Sequence, residues 1–207
     1  MATDARTRIL YAAERLFAER GVDHVSLREI GERAGQRNNS AVQYHFGDKA
    51  HLIQALYDLR LVPLNEARLR MLAEISEPGP AQLARIYVVP LAEAVIANGG
   101  SWAYARFLDR YLGRGREFEP FDDRYSRGSR EVTARMGEHL AGIGAAMRDE
   151  RLRMIQALQI RTLAELEHRL EHGLVDATGA DLTVDALIEA VTVLLGAPSG
   201  VPDGRRT

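Results

Sequence analysis

The chain has 207 residues, of which 46% are hydrophobic and 27% charged, and its formal net charge is −2. This length allows one or two domains with a substantial core, and the absence of cysteine excludes disulfides, thiolate metal sites and a cysteine nucleophile. The slight negative charge counts mildly against a nucleic-acid binder, so a DNA-binding surface would have to be local. Apolar runs fall short of the ~20 residues of a membrane span, and the first residues lack the pattern of a secretory signal.

Apolar residues recur with the period of an α-helix along most of the chain, and the alternation typical of strands is nearly absent. We expect the first helix to begin after a Thr3 cap and to stop at Gly21, because glycine is common just past helix ends. The second helix should begin at Ser26, which has Glu29 three residues later as in a capping box, and should stop at Gly35. The sequence therefore predicts an all-α fold.

The next stretch, GQRNNSAVQYHFGDK, combines many side-chain donors and acceptors with few apolar positions. Asn38 or Asn39 can cap a third short helix that stops at Gly47. Val42 and Phe46 lie four residues apart and therefore share one face of this helix, which we expect to be buried. The polar residues then occupy the exposed faces.

Longer helical patterns follow. A fourth helix, capped by Asp48, is expected to kink or break at Pro63, because proline lacks the backbone donor and clashes with the preceding turn. Glycine, proline and charge content mark a loop at 113–123, and the end of the chain, 198–207, is expected to be a disordered tail. Further helices are predicted at 80–98, 101–113, 123–141, 146–172 and 182–196.

Three short helices followed by a long one, with a glycine-started turn between the second and third, have the arrangement of a helix-turn-helix motif. In that motif a helix lies in the DNA major groove, where asparagine and glutamine pair with adenine, arginine pairs with guanine, and alanine contacts the thymine methyl. We therefore predict a three-helix DNA-binding domain at 1–47 and a larger helical ligand-binding and dimerisation domain at 48–197. The simpler alternative is a solvated helix with asparagine caps, but such a helix would more usually carry glutamate and lysine.

The sequence TRILYAAERLFAERGVDHVSLREIGERAG, with VQYHFGDKAHLIQAL after it, resembles the tetracycline-repressor (TetR) family of bacterial transcription regulators. The resemblance covers roughly residues 6–56. It implies a homodimer that binds a palindromic double-stranded DNA operator, usually as a repressor. It also implies release of the DNA when a small molecule enters the C-terminal domain, and a bacterial cytoplasmic location associated with the nucleoid.

Individual residues match positions of the family pattern. Ser26 matches a residue that caps the second helix and touches phosphate, and Arg28 matches a position where some members contact DNA. Tyr44 and His45 match the second aromatic residue and the histidine of a Tyr-aromatic-His-Phe pattern. Lys49 matches the lysine that contacts phosphate at the start of the fourth helix.

Two departures from the family pattern add candidate base readers. Gln43 stands where the family usually has a phosphate-binding tyrosine, and the turn QRNN, which contains Arg37, is one residue longer than usual. Gly31, where alanine is commoner, suits close helix packing. The predicted DNA-binding residues are Ser26, Arg28, Arg37, Asn38, Asn39, Ser40, Ala41, Gln43, Tyr44, His45 and Lys49.

Aromatic and methionine side chains beyond residue 50 are candidates for a largely apolar ligand pocket between helices, although each could equally belong to the core. Arg106 is the candidate polar anchor for an acidic ligand, and its alternative role is an ion pair with Asp109 or Glu93. The candidate ligand-binding residues are Tyr57, Met71, Tyr87, Trp102, Arg106, Phe107 and Met154.

The last two predicted helices, 146–172 and 182–196, have apolar stripes broader than a solvent-facing helix needs. We expect them to bury an intersubunit four-helix face as well as a core face, since a palindromic operator demands a two-fold dimer. The candidate dimer residues are Leu158, Leu166, Leu170, Leu187, Val191 and Leu194.

His168 and His172 lie four residues apart, which is a metal-ligand spacing, but cationic histidines also favour a helix C-terminus and no third ligand is visible. We therefore predict no metal site and no cofactor. The sequence contains none of the common hydrolase, phosphate-loop or zinc-protease motifs, which argues against an all-helical enzyme. A helical adaptor without DNA function is the other alternative.

Overall fold

The fold is built from α-helices. The structure is a computed structural model that describes residues 4–36, 38, 40–112 and 126–198. Within these residues there are nine α-helices, one short 3-10 helix and no β-strand, which confirms the predicted all-α class. The elements are α1 (Ala5–Arg20), the 3-10 helix (Val22–His24), α2 (Leu27–Arg33), α3 (Ala41–Phe46), α4 (Lys49–Ala73), α5 (Pro80–Ala97), α6 (Tyr104–Leu112), α7 (Arg127–His139), α8 (Ala145–Glu171) and α9 (Ala177–Gly196).

The ends of α1 follow from its capping residues. The backbone N–H of Thr7 donates to Oδ1 of Asp4 at 2.7 Å, so Asp4 caps the helix and the predicted Thr3 cap is wrong. Gly21 ends the helix as predicted, with a φ of 83° that favours glycine, and its N–H donates to the Phe17 carbonyl at 2.8 Å.

The structure gives the extents of the long helices. α4 runs through Pro63 without the predicted break, and the buried residues Leu61 and Leu64 on either side of the proline offset part of its cost of about 3 kcal/mol. α9 begins at Ala177 rather than at 182, because Asp176 caps it by accepting the Gly179 N–H at 2.8 Å. The first turn of α9, ATGAD, contains glycine and other weak helix formers. The sequence pattern therefore did not indicate that the helix begins there.

One continuous cluster of buried side chains joins the N-terminal helices to the rest of the chain. α1 packs against α2 and α6, α6 packs along α8, and α5 packs along α9. Phe17 of α1 and Phe107 of α6 meet in this cluster with ring centroids 6.0 Å apart. The division into 1–47 and 48–197 stays a prediction, and the predicted tail at 198–207 lies outside the described residues from 199 onward.

Among the described residues, α5 is long and apolar enough, by length and composition, to cross a membrane. The expectation that apolar runs fall short of a membrane span is therefore not met by this helix. Half of its residues are buried inside the fold, where it packs against α4, α7, α8 and α9. Its position as a core helix accounts for its composition.

Candidate nucleic-acid interface

α2 and α3 pack closely, in the helix-turn-helix arrangement that the sequence predicts. Gly31 of α2 is buried, and a Cβ placed on it would lie 3.4 Å from Cγ2 of Val42 in α3. Gly35 turns the chain after α2 with a φ of 69°, which favours glycine. Val42 and Phe46 are both buried, as predicted, and fix α3 against the rest of the domain.

The remaining surface of α3 is exposed. Gln43, Tyr44 and His45 all have exposed side chains, and Tyr44 is 86% exposed. The rings of Tyr44 and His45 meet edge to face with centroids 5.3 Å apart. This surface therefore exposes an amide, a phenol and an imidazole, which are all groups capable of forming hydrogen bonds.

Asn38 shapes the turn that precedes α3. Its Oδ1 accepts the backbone N–H of Ser40 at 2.9 Å, and its carbonyl accepts that of Ala41 at 3.0 Å. The side chain of Ser40 makes no capping bond although it occupies the N-cap position. Arg37 and Asn39 lie outside the described residues. Asn38 thus holds the backbone next to α3, while Gln36 Nε2 donates to the Ala34 carbonyl at 3.2 Å on the other side of the turn.

Ser26 caps α2 in the complete capping box that the sequence predicts. Its Oγ accepts the Glu29 N–H at 3.2 Å, while Oε2 of Glu29 accepts the Ser26 N–H at 2.8 Å. Arg20 Nη1 donates to Oε1 of Glu29 at 2.8 Å. The bonds from Ser26 and Arg20 lower the pKa of Glu29 to about 2. The Ser26 hydroxyl also donates to Glu29 at 2.8 Å, so a phosphate at Ser26 would compete with this carboxylate.

Arg28 forms an exposed pair with Glu32, from Nε to Oε1 at 2.9 Å. The hydrogen bond and charge of Glu32 raise the pKa of Arg28. Exposed pairs of this kind contribute at most about 1 kcal/mol, so the guanidinium can exchange Glu32 for a phosphate at little cost.

Lys49 binds the backbone of its own chain. Its Nζ donates to the carbonyl oxygen of Val22 at 2.9 Å, which ties the first turn of α4 to the 3-10 helix. An ammonium group carries three donors, so further hydrogen bonds to a phosphate remain available. Asp48 caps α4 by accepting the His51 N–H at 2.9 Å, and this bond lowers the pKa of Asp48.

Arg6 is a candidate phosphate contact that the sequence analysis missed. Its side chain is exposed, and its guanidinium carbon lies 5.0 Å from the ring centroid of Phe46. Arg6 therefore lies beside the last turn of α3. In the sequence it was one arginine among many, and only tertiary packing brings it to this surface.

Only some of the predicted ligand-binding residues lie together. Tyr57, Tyr87 and Phe107 are buried, and the rings of Tyr57 and Phe107 have centroids 6.4 Å apart. Met71 is partly buried against the core. Met154 is exposed on α8, so its assignment to an interior pocket is wrong. A small cleft between α1 and α6, lined partly by Phe107, has a volume of ≈ 10 Å³ for the centres of water-sized molecules, which suits a water rather than an organic ligand.

Arg106 belongs to a charge network on α6 and α8. Its Nε donates to Oε2 of Glu167 at 3.1 Å, and its Nη2 lies 2.6 Å from Oε2 of Glu171. The predicted ion pair of Arg106 with Asp109 or Glu93 is therefore wrong. Burial raises the pKa of Glu167 to about 7, against the opposite effect of hydrogen bonds from two backbone N–H groups and Arg106. With two carboxylate partners, Arg106 is poorly placed to anchor an acidic ligand.

Trp102 also has a partner within the fold. The guanidinium carbon of Arg60 lies 3.5 Å from the centroid of the indole ring. This cation–π contact gives Trp102 a structural role beside the buried pair that Arg60 forms with Glu14.

His168 and His172 have ring centroids 4.2 Å apart at the end of α8. Nδ1 of His172 forms a hydrogen bond with the His168 carbonyl at 2.8 Å. Within the ranges that the structure describes, no group of three histidine, cysteine or acidic residues is placed to hold a metal ion.

The assignment of three residues to the dimer interface is wrong. Leu166, Leu187 and Val191 are buried inside the protomer, so a second copy cannot reach them. The apolar stripes of α8 and α9 are broad because these helices pack against α5 and α6 as well as against each other. The other three candidates, Leu158, Leu170 and Leu194, are partly buried against the core.

The exposed apolar residues of α8 and α9 were missed. Leu182 is 69% exposed and Val193 is 66% exposed, and the exposed Ala186 lies between them at helical spacing. Met154 of α8 is also exposed. Arg151, one turn before Met154, donates to the Leu194 carbonyl at 3.1 Å, which places these ends of the two helices side by side. We call Met154, Leu182, Ala186 and Val193 the outer α8–α9 face.

The fold and this site define an all-helical protein whose N-terminal part is a helix-turn-helix domain. Residues 9–56 match the family model described as bacterial regulatory proteins, tetR family. The match covers the N-terminal part of the chain, so the similarity to this family is shown for residues 9–56.

Curated relatives are named as transcription regulators. The chain is 46% identical to the HTH-type transcriptional regulator TtgR of Pseudomonas putida over 28% of this chain and 27% of that protein. It is 28% identical to the HTH-type transcriptional repressor BepR of Brucella suis biovar 1 over 64% of this chain and 63% of that protein. The match thus spans only about a quarter of the length of TtgR. Each of these relatives is named as a transcriptional regulator or repressor.

Solved structures share the fold across nearly the whole chain. HlyIIR, a hemolysin II transcriptional regulator, superposes with a TM-score of 0.57 at 18% identity over 91% of this chain and 97% of its own. A TetR family transcription regulator from Marinobacter aquaeolei VT8 gives a TM-score of 0.59 at 14% identity over 90% and 94%. At these identities the likeness concerns the fold alone.

Proposed function

We propose that this protein is a DNA-binding transcriptional regulator that recognises a palindromic operator as a homodimer. The observation that supports this most directly is the exposed surface of α3, held on a helix-turn-helix by the buried side chains of Val42 and Phe46. A structural helix in this position would not need an 86% exposed tyrosine flanked by glutamine and histidine.

The chemistry of α3 and its preceding turn suits direct readout of bases. Gln43 can pair with both N6 and N7 of adenine, and the Ala41 methyl can contact the thymine methyl. Arg37 and Asn39 extend this set toward guanine and adenine. A bidentate pair of this kind contributes about 1–3 kcal/mol of discrimination against a wrong base.

Phosphate contacts would surround this surface. Lys49, Arg28 and Arg6 supply cationic groups, and the Ser26 hydroxyl supplies a neutral one. Because the whole chain carries a formal charge of −2, DNA attraction must come from these local groups rather than from a global field.

The outer α8–α9 face is the surface we propose for dimerisation. Leu182 and Val193 are large apolar residues that the protomer leaves exposed, and a second copy can bury them across a two-fold axis. Two copies place two α3 helices on one DNA molecule, which matches the symmetry of a palindrome.

Repression and ligand release are further parts of the proposal. BepR and the protein AcnR of Corynebacterium glutamicum, 35% identical over 40% of this chain and 40% of that protein, are both named as repressors. In this chain, α1 is joined to the larger helical region by the Glu14–Arg60 pair and by Arg15, which donates to Glu171 at 2.9 Å. A ligand that moves α4, α6 or α8 would therefore move α1 and change the spacing of the two α3 helices.

The test is selection of bound genomic DNA followed by sequencing, and then measurement of affinity for the selected site by fluorescence anisotropy. We expect an inverted repeat to be enriched. Gln43→Ala should weaken binding by about 1–3 kcal/mol and relax the preference at one position per half-site. Gln156→Ala is the matched control, because Gln156 is an exposed glutamine on α8 far from α3 in the chain.

Absence of any enriched sequence, together with binding that does not weaken as salt rises, would contradict the proposal and favour a helical adaptor or enzyme. Equal affinity and sequence preference in Gln43→Ala and wild type would contradict the assignment of α3 as the base-reading helix.

A further inference from the structure

Arg68 of α4 is a buried cation without an anionic partner among the described residues. Its side chain is 5% exposed. Nη1 donates to Oδ1 of Asn65 at 3.1 Å and Nη2 donates to the Tyr87 carbonyl at 3.3 Å, but Nε has no hydrogen-bond partner. Both acceptors are neutral, so the charge of Arg68 is buried without compensation within the described fold.

Arg60, two turns earlier on the same helix, has the carboxylate partner that a buried arginine usually has. It is 4% exposed, and it forms two hydrogen bonds with the carboxylate of Glu14. Among the residues that the structure describes, one buried arginine of α4 thus has a carboxylate partner and the other has neutral partners. Burial correspondingly lowers the pKa of Arg68.

A second polar group beside Arg68 also lacks a partner. The hydroxyl of Tyr104 is buried and has no hydrogen bond to any described residue, and the charge of Arg68 acts on this phenol. Burial raises the pKa of Tyr104, so the group stays a neutral O–H donor. Two donors without a described partner, one cationic on α4 and one neutral on α6, thus lie close enough to interact electrostatically.

The two described acceptors of Arg68 are each shared with another donor. The Tyr87 carbonyl accepts both Arg68 Nη2 and Gln159 Nε2, the latter at 2.7 Å. Oδ1 of Asn65 accepts both Arg68 Nη1 and the Ser129 N–H, the latter at 2.9 Å. These bonds orient the guanidinium and leave its Nε edge as the unsatisfied one.

We propose that Arg68 and Tyr104 form the anion-binding end of a small-molecule site, and that the ligand is an organic carboxylate. A planar carboxylate fits the Nε–Nη2 edge of a guanidinium with two parallel hydrogen bonds, and a second donor such as Tyr104 completes its coordination. The ring of Tyr87, whose centroid lies 5.5 Å from the Arg68 guanidinium carbon, and the ring of Tyr104 supply apolar surface for the rest of the ligand.

This site differs from the one expected from the sequence. The anchor is Arg68 rather than Arg106, because Arg106 is already paired with Glu167 and Glu171. The sequence does not single out Arg68, since no aromatic residue flanks it along the chain.

The effect of a bound carboxylate on DNA binding rests on the proposed regulator function. The binding of the carboxylate at Arg68 does not. Tyr104 follows Ala103, whose N–H donates to Glu14 of α1 at 3.0 Å. Phe107, one turn further along α6, packs against Phe17 of α1. A ligand that displaces Tyr104 would therefore shift α6 against α1.

The binding test uses the purified full-length chain and thermal unfolding. The probes are benzoate and hexanoate, their neutral amides benzamide and hexanamide, and inorganic phosphate. We expect at least one carboxylate to raise the melting temperature saturably, by about 5–10 °C at concentrations ~100-fold above its Kd, and its amide to bind at least ~10-fold more weakly. Arg68→Met should abolish the shift, and Arg106→Met should keep it.

The melting temperature without added anion separates a binding role from a structural one. Arg68→Met removes an uncompensated charge, so it should melt no lower than wild type. Arg60→Met is the matched control and should melt well below wild type, because it leaves Glu14 buried without its partner. A loss in Arg68→Met as large as that in Arg60→Met would overturn the proposal.

Three other results would also overturn it. These are no shift of wild type with either carboxylate, an equal shift in Arg68→Met, or stabilisation by phosphate alone. Operator affinity is measured separately with the carboxylate that binds. Binding at Arg68 without a change in operator affinity would leave the site in place and contradict the proposed ligand release instead.

Discussion

Arg60 donates two hydrogen bonds to Glu14, from Nε to Oε2 at 2.7 Å and from Nη2 to Oε1 at 3.1 Å, and both side chains are buried. Oε1 of Glu14 also accepts the Ala103 N–H at 3.0 Å. One carboxylate on α1 thus binds both α4 and the backbone that leads into α6. The helix-turn-helix is thereby fixed to the larger helical region by a pair that water does not reach.

Breaking this pair should be costly. Glu14→Gln leaves the Arg60 charge buried without its carboxylate, so we expect the free energy of unfolding in urea to fall by about 3–5 kcal/mol. Glu93→Gln is the matched control, since Glu93 is exposed, and it should change stability by no more than about 0.5 kcal/mol. Similar losses in the two variants would show that the buried pair is not a main link.

Glu167 should make stability depend on pH. Burial raises its pKa from 4.5 to about 7, so between these values the folded chain binds a proton that the unfolded chain does not. The contribution is fully present below pH 4.5 and is lost as the pH rises through about 7, by roughly 3 kcal/mol in total. Urea unfolding across this range should show the decline in wild type and in the exposed control Glu165→Gln.

Glu167→Gln should lack this titration, whatever its absolute stability. The informative quantity is therefore the difference in unfolding free energy between wild type and Glu167→Gln as a function of pH. A difference that stays constant from about pH 4 to about pH 8 would contradict the raised pKa.

Lys49 should contribute to DNA binding through its charge. Lys49→Gln should weaken binding to all sequences alike and reduce the magnitude of the slope of log affinity against log salt by about 0.9 per half-site, whereas Lys49→Arg should keep the slope. Because Lys49 also holds the Val22 carbonyl, a small loss of stability in Lys49→Gln is expected and is measured alongside. Loss confined to one operator sequence would point to base reading instead.

The outer α8–α9 face should control the oligomeric state. Leu182→Glu and Val193→Glu should give folded monomers in sedimentation velocity at micromolar concentration, because both side chains are exposed in the protomer and a carboxylate there opposes burial by a second copy. Leu174→Glu, exposed in the connection between α8 and α9, is the control and should stay dimeric. A monomeric wild-type chain would contradict the proposed dimer.

Local signals in the sequence predicted the helix-turn-helix well. Ser26 and Glu29 have capping-box spacing, Gly35 and Gly47 stop their helices, and the structure shows all of these features. Each of them depends on residues only three or four positions apart. Local spacing is therefore enough to place them.

Features that depend on tertiary packing could not be predicted in the same way. Periodicity showed that Leu166 and Val191 lie on apolar faces, but it did not show that those faces are covered within the protomer. Likewise, Arg106 was expected to pair with nearby Asp109 or Glu93, whereas its partners come from α8. Nothing local in the sequence indicates that Arg68 is a buried cation, because only the surrounding helices make it one.

The bond between Arg15 and Glu171 has a consequence for how the chain is made. The two residues are 156 positions apart, which corresponds to roughly 8–30 s of synthesis at 5–20 residues per second. During that interval α1 has left the ribosome, but the end of α8 that holds it does not yet exist. Contacts this distant in sequence also close slowly, because the entropy of a long loop is lost before they form. The bond to Glu171 is therefore the last of these α1 contacts to form, after those with Arg60, Ala103 and Phe107, and premature termination before residue 171 would leave α1 without it.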